Sequence, residues 1–139
     1  MITAIDTNVL LDVLVPDPEY FERSLQALEE AANAGSLVVC DLVYAELCVH
    51  FGHQGDCDEF LLQNDIRVEA LTREASFLAS RLWRSYHHGG GKRTRILTDF
   101  LVGAHAQAQA SQLLTRDRGF YREIFRSLTL VDPASRRRA

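Results

Sequence analysis

The chain is poor in the residues that would make it a disulfide scaffold or a zinc protein. It has three cysteines, Cys40, Cys48 and Cys57, an odd number with no C-x-x-C spacing. We expect three free thiols buried in apolar or helical surroundings. Long apolar runs are missing too: the longest stretches are a few residues, such as Leu37-Val38-Val39-Cys40, where a membrane span needs about 20. The first residues, Met1-Ile2-Thr3-Ala4-Ile5-Asp6, carry no basic segment and no cleavage site, so no signal peptide is expected. A cytoplasmic protein with no membrane association is the expectation. Nor is there an excess of positive charge. Fifteen basic against 19 acidic residues give a net charge of −4, which argues against a protein that simply coats nucleic acid. No P-loop or dinucleotide-type glycine motif occurs, and no Ser-His-Asp or Cys-His arrangement.

What is present is enough apolar material for one core. With 139 residues, 47% of them hydrophobic, the chain fits one domain. We expect it over 1–133, followed by a short basic tail over 134–139. A buried strand Ile2–Ile5 stops at Asp6, and a helix follows through Asn8–Leu14 until Pro16 and Pro18 break it. Phe21, Leu25, Leu28 and Ala32 mark an amphipathic helix over about 19–34, with Gly35 where a C-cap belongs. Leu37–Cys40 reads as a strand, and Asp41 as the N-cap of a helix carrying Glu46. A loop over 51–55 leads to a short helix at about 58–63, then a strand Ile66–Glu69. Thr72 opens a long helix in which Ala75, Leu78, Ala79, Leu82 and Trp83 share a core or dimer face. His87 to Arg93 reads as a glycine-rich basic loop. A helix over about 98–109, a strand 112–115, a short helix 120–125 and a last strand 128–131 complete the chain. Strands alternating with helices give an α/β domain with a mostly parallel, covered sheet.

The acids fall at telling places in that order. Ligands of open α/β sheets bind beyond the carboxyl ends of the strands. Asp6 follows the first strand directly, and Asp117 closely follows the Leu113–Thr115 strand. Glu46 lies in the helix after the second strand, and Asp99 opens the helix after the basic loop. Four carboxylates converging on one sheet edge repel each other unless a hard cation offsets them. Mg²⁺, or Mn²⁺ in its place, takes such oxygen ligands and supports phosphoryl chemistry. Thr7, Asn8, Thr98 and Thr115 adjoin the acids and are candidates to hold them in place, with helix capping as the competing role for Asn8. Asp12 is expected to face solvent or cap locally, and His105 to be packed or hydrogen-bonded rather than a ligand. Lys92, Arg93 and Arg95, just before the Asp99 helix, are candidate contacts for a nucleic-acid backbone, as are Arg116 and Arg118.

The string Asp6-Thr7-Asn8-Val9-Leu10-Leu11-Asp12 resembles the opening motif of PIN-domain ribonucleases, including the VapC toxins of type II toxin–antitoxin pairs. Ala45-Glu46-Leu47 resembles their second acidic position, Thr98-Asp99-Phe100 the third, and Leu114-Thr115-Arg116-Asp117 the fourth. The four pieces occur in the family's order and cover nearly the whole chain. Asp41 stands where the family often has Ser or Thr, as a helix cap or, alternatively, near the metal site. The resemblance implies a three-layer α/β/α sandwich around a mostly parallel sheet of about five strands. It implies that Asp6, Glu46, Asp99 and Asp117 are metal-binding and catalytic, with Mg²⁺ as cofactor. It implies endonucleolytic RNA cleavage leaving a 5′-phosphate, a homodimer, and inhibition by a small VapB-like antitoxin. A non-catalytic partner-binding module on the same fold is the alternative. A haloacid dehalogenase-type phosphatase fits poorly, because it needs a second Asp where Asn8 stands.

Overall fold

The structure, a computed structural model, describes residues 1–90 and 96–135. Its elements in chain order are β1 (Ile2–Ile5), α1 (Thr7–Leu14), α2 (Phe21–Ala34), β2 (Ser36–Cys40), α3 (Asp41–Cys48) and α4 (Gln54–Gln63). Then come β3 (Ile66–Glu69), α5 (Arg73–His88), α6 (Leu97–Gln109), β4 (Gln112–Leu114), α7 (Arg118–Ile124), β5 (Thr129–Val131) and a 3₁₀ turn, Pro133–Ser135. The strands form one sheet in the order β3-β2-β1-β4-β5, every pairing parallel. Helices cover both faces, so the fold is the expected three-layer α/β/α sandwich.

The central strands are apolar end to end because both of their faces are covered. Ala4, Ile5, Val38, Val39, Leu113 and Leu114 are essentially inaccessible to water. α6 lies against β1 and β4 and pairs with α5 in a helical hairpin, and α2 packs on α1 and β2. Aromatic rings fill the end of the hairpin: Tyr86 meets Phe100 at 5.5 Å, and Phe100 meets Phe120 edge-on at 5.3 Å. Gly103 in α6 lets Phe125 close over the helix, since a Cβ there would run into that ring. Gly103→Ala is therefore expected to destabilise the fold. Overpacking costs about 1–3 kcal/mol, more than the up to about 1 kcal/mol that alanine gains over glycine inside a helix. Urea unfolding of the two proteins measures the difference, and an unchanged or raised midpoint would contradict this packing account.

Several local expectations are corrected. His87 and His88 belong to the last turn of α5 rather than to a loop. Trp83 is partly exposed and its ring lies against His87, centres 4.3 Å apart and tilted by 49°, so of the core and dimer-face roles expected for it the core one is corrected. α4 starts at Gln54, inside the expected loop. Asp41 is the first residue of α3, whose N-cap is Cys40, and its side chain makes no capping bond. Gly35 does end α2, but with extended backbone rather than a left-handed cap. What requires glycine there is the Met1 carbonyl, which a Cβ would strike. The three cysteines are free, as expected; Cys40 and Cys57 are buried and Cys48 is half-buried. No helix among the described residues is long and apolar enough to cross a membrane.

Candidate active site

The sheet order reverses at β1. From it the chain steps outward to β2 and β3, then returns through α5 and α6 to pair β4 on the other side. Such a switch point leaves a crevice at the carboxyl ends of the two central strands. Ile5 pairs with Leu114 in register, and the Asp6 amide donates to the Leu114 carbonyl at 2.9 Å. Asp6 and Thr115 are thus neighbours at the end of the sheet because each is the first residue past its strand.

Asp6 is 9% exposed and heavily bonded. Its carboxylate accepts from the Thr7 amide at 2.8 Å, the Thr115 hydroxyl at 2.8 Å and the Asn8 side-chain amide at 3.4 Å. Thr115 Oγ1 in turn accepts from the Asp117 amide at 3.0 Å, so one hydroxyl couples two of the acids. Burial pushes the Asp6 carboxyl up to about 6. The bonds from Thr115 and Thr7 oppose that rise, and the nearby Glu46 and Asp117 carboxylates add to it. Glu46, exposed on α3, accepts from the Thr7 hydroxyl at 2.8 Å. Asp99 sits in the first turn of α6, where its carboxylate accepts from the Ile96 amide at 3.3 Å. An acid belongs at that helix end, where the dipole favours negative charge.

Tyr121 lies within the field of three of the acids. Its hydroxyl is raised far above the ordinary phenol range, first by burial and then by Asp6, Asp99 and Asp117 together, with a hydrogen bond to Asp6. All four acids named from the sequence therefore lie within electrostatic reach of Asp6 or Tyr121. Tyr121 itself was not anticipated. Its signal is the one-turn spacing from Asp117, whose carbonyl accepts the Tyr121 amide. Kept neutral, it is a buried hydrogen-bond donor to Asp6.

Thr7, Asn8 and Thr115 bond the acids, while Asn8, Arg116 and Asp12 also take contacts that the sequence did not announce. Asn8 does not cap α1, because Asp6 is the N-cap. Asn8 instead bridges, donating to Asp6 and accepting the Arg116 amide at 3.2 Å. Arg116, a candidate nucleic-acid contact, is committed elsewhere: its guanidinium holds Asp12 through two bonds of 2.8 Å and lies 4.0 Å over the Tyr20 ring. Asp12 is accordingly 3% exposed, not solvent-facing, and also accepts from Ser24 at 2.7 Å. Arg118 reaches Asp132 at 3.8 Å. Lys92, Arg93 and Arg95 lie outside the described residues. His105 is buried and bonds Glu69 at 2.9 Å, the hydrogen-bonded role expected of it.

The donor set is all hard oxygen, at strand and helix ends, around a carboxyl whose proton affinity is raised mainly by burial and further by the Glu46 and Asp117 carboxylates. That is chemistry suited to Mg²⁺ or Mn²⁺. Among the described residues, no three His, Cys, Asp or Glu side chains close on one point as they stand.

The PIN domain family model matches residues 3–123, spanning β1 to α7 and all four acids. The chain belongs to the PIN-domain family. No curated protein matches it in sequence. Among solved structures, this PIN domain is similar to a chain of VapBC2 from Rickettsia felis bound to a promoter DNA fragment, with TM-score 0.74 and 18% identity over 95% of this chain and 98% of the other. FitAcB from Neisseria gonorrhoeae superposes with TM-score 0.73 and 19% identity over 98% and 100%. VapC20 of Mycobacterium tuberculosis, described as a sarcin–ricin loop cleaving toxin, gives TM-score 0.54 and 16% identity over 80% and 86%. At these identities the likeness is one of fold.

Proposed function

We propose that this PIN domain is a VapC-type toxin, a Mg²⁺-dependent endoribonuclease that a small VapB-like antitoxin holds inactive and that acts as a homodimer. The observation that carries the reading is Asp6. A buried carboxyl with its proton affinity raised toward neutrality, flanked by Glu46 and Asp117, is a costly arrangement for a binding module and a useful one for holding a cation. The solved relatives support the partner, since several are toxin–antitoxin complexes, and a relative described as cleaving the sarcin–ricin loop supports RNA as substrate.

In this reading Asp6, Asp99 and Asp117, with Glu46 beside them, are the residues that would hold the ion, and the chemistry it would supply there is activation of water and neutralisation of phosphoryl charge. Thr115 orients Asp6 and holds the Asp117 backbone, and Thr7 orients Glu46. Tyr121 donates a hydrogen bond to Asp6.

Incubating the chain with end-labelled RNA tests this. Cleavage is expected with Mg²⁺ or Mn²⁺, with 5′-phosphate ends, and to stop with chelator. Asp99→Asn is expected to lower the rate about 10²–10³-fold, the scale of losing several kcal/mol of charge stabilisation. Cleavage that survives both chelator and Asp99→Asn would overturn the mechanism.

A further inference from the structure

We infer that the exposed face of α5 bearing Arg81, Arg84 and His88 is a docking track for the phosphate backbone of the RNA, beyond the nucleotides at the cut. The inference rests on the ribonuclease reading. The three residues follow one another at i, i+3 and i+7, so they share one side of the helix. They span about 10 Å of axis at about 1.5 Å per residue. With Ser85 they border an open hollow of about 340 Å³. The Arg81 guanidinium lies 4.7 Å over the exposed Phe77 ring one turn earlier. Neither Arg81 nor Arg84 forms an ion pair among the described residues, whereas Arg116 and Arg118 both face acids.

The chain is net acidic and carboxylates lie at its crevice, so RNA approaching the site would be repelled unless cations lie beside its path, and this face supplies them. The basic face is at the right end of the molecule. Tyr86, between Arg84 and His88 in sequence, packs on Phe100 and on Phe120 at 6.5 Å. Phe100 follows Asp99 in α6, and Phe120 precedes Tyr121 in α7, three residues after Asp117. The buried face of α5's last turns thus abuts the site while its opposite face carries the charge.

The test is an Arg81→Gln/Arg84→Gln double variant, with Arg67→Gln/Arg126→Gln, exposed elsewhere, as the control of equal charge change. Binding of a fluorescent 30-nucleotide single-stranded RNA is measured in chelator at several salt concentrations, and cleavage of the 30-mer and of a 6-mer is measured with Mn²⁺. The α5 variant is expected to bind the 30-mer roughly tenfold more weakly. Its salt slope should fall by about 1.4, about 0.7 for each charge removed. KM for the 30-mer should rise while kcat and 6-mer cleavage stay unchanged, and the control should move these values much less. Equal binding and slope in the α5 variant, or equal loss in the control, would overturn the track while wild-type cleavage leaves the ribonuclease reading standing. Release of a co-purifying protein with RNA binding unchanged would overturn it in favour of a protein interface. A wild-type chain that neither binds nor cleaves RNA would remove both readings.

Discussion

Asp6→Asn is expected to remove metal-dependent RNA cleavage, lowering it about 10³-fold, while making the metal-free protein more stable at pH 8. The two effects share a cause. The folded carboxyl titrates at about 6 against an ordinary value of 3.8, mainly because it is buried. A group whose proton affinity is raised by folding contributes stability that is fully present below its unfolded value, near pH 4. That contribution is lost as pH rises through about 6. The difference corresponds to roughly 3 kcal/mol at pH 8. Asparagine has nearly the same shape and carries no charge, so it escapes that loss, though it gives back part of the gain through weaker bonds to Thr7 and Thr115. A rise in Tm on the order of 5 °C at pH 8, fading to nothing near pH 4, is the expected pattern in thermal melts with chelator present. A variant less stable than the parent at pH 8 would mean that hydrogen bonds outweigh burial at Asp6. On the proposed mechanism, the cleavage loss follows from removing a negative oxygen that would hold the cation neutralising phosphoryl charge.

Asp12→Ala is expected to cost about 3 kcal/mol of stability and to slow cleavage without abolishing its cation requirement. Asp12 is the buried hub of a network that crosses 104 residues of sequence to Arg116 and also takes in Ser24 of α2. Removing one partner of a buried pair costs about 3–5 kcal/mol because the other charge is left uncompensated. The lower end applies here, since the Arg116 side chain retains 27% of its exposure and can rehydrate. The consequence for activity runs through the backbone. Arg116 lies between Thr115 and Asp117, and its amide is held by Asn8. Loosening its guanidinium frees the turn that places Thr115 on Asp6. Urea unfolding together with a Mn²⁺ titration of cleavage measures both effects. A loss under about 1 kcal/mol with unchanged kinetics would show that the turn is held without this pair.

Strand positions and acid placement were legible because they depend on local pattern. Val38-Val39 and Leu113-Leu114 are apolar on both faces, and an acid directly after such a strand has few places to go but the sheet edge. Residues whose partner lies far along the chain were not legible. Asp12 looks like an ordinary helix-surface acid until Arg116 folds against it. Tyr121 looks like core until three carboxylates are seen to bear on it. His87 and His88 resemble a loop because three glycines follow them, yet the hairpin packing of Tyr86 on Phe100 extends α5 through them. Asp41 has the right residue type for an N-cap, but the strand-to-helix turn comes one residue earlier and gives that position to Cys40.

The central claim is that the four acids form a cation site at the switch point between β1 and β4. Mn²⁺ binding followed by electron paramagnetic resonance, with wild type, Asp6→Asn and Asp99→Asn titrated at pH 8, tests it most directly. The account predicts saturable binding of at least one Mn²⁺ per wild-type chain, weakened at least tenfold in each variant while both remain folded. Equal Mn²⁺ binding by all three proteins, or none by the wild type, would contradict it.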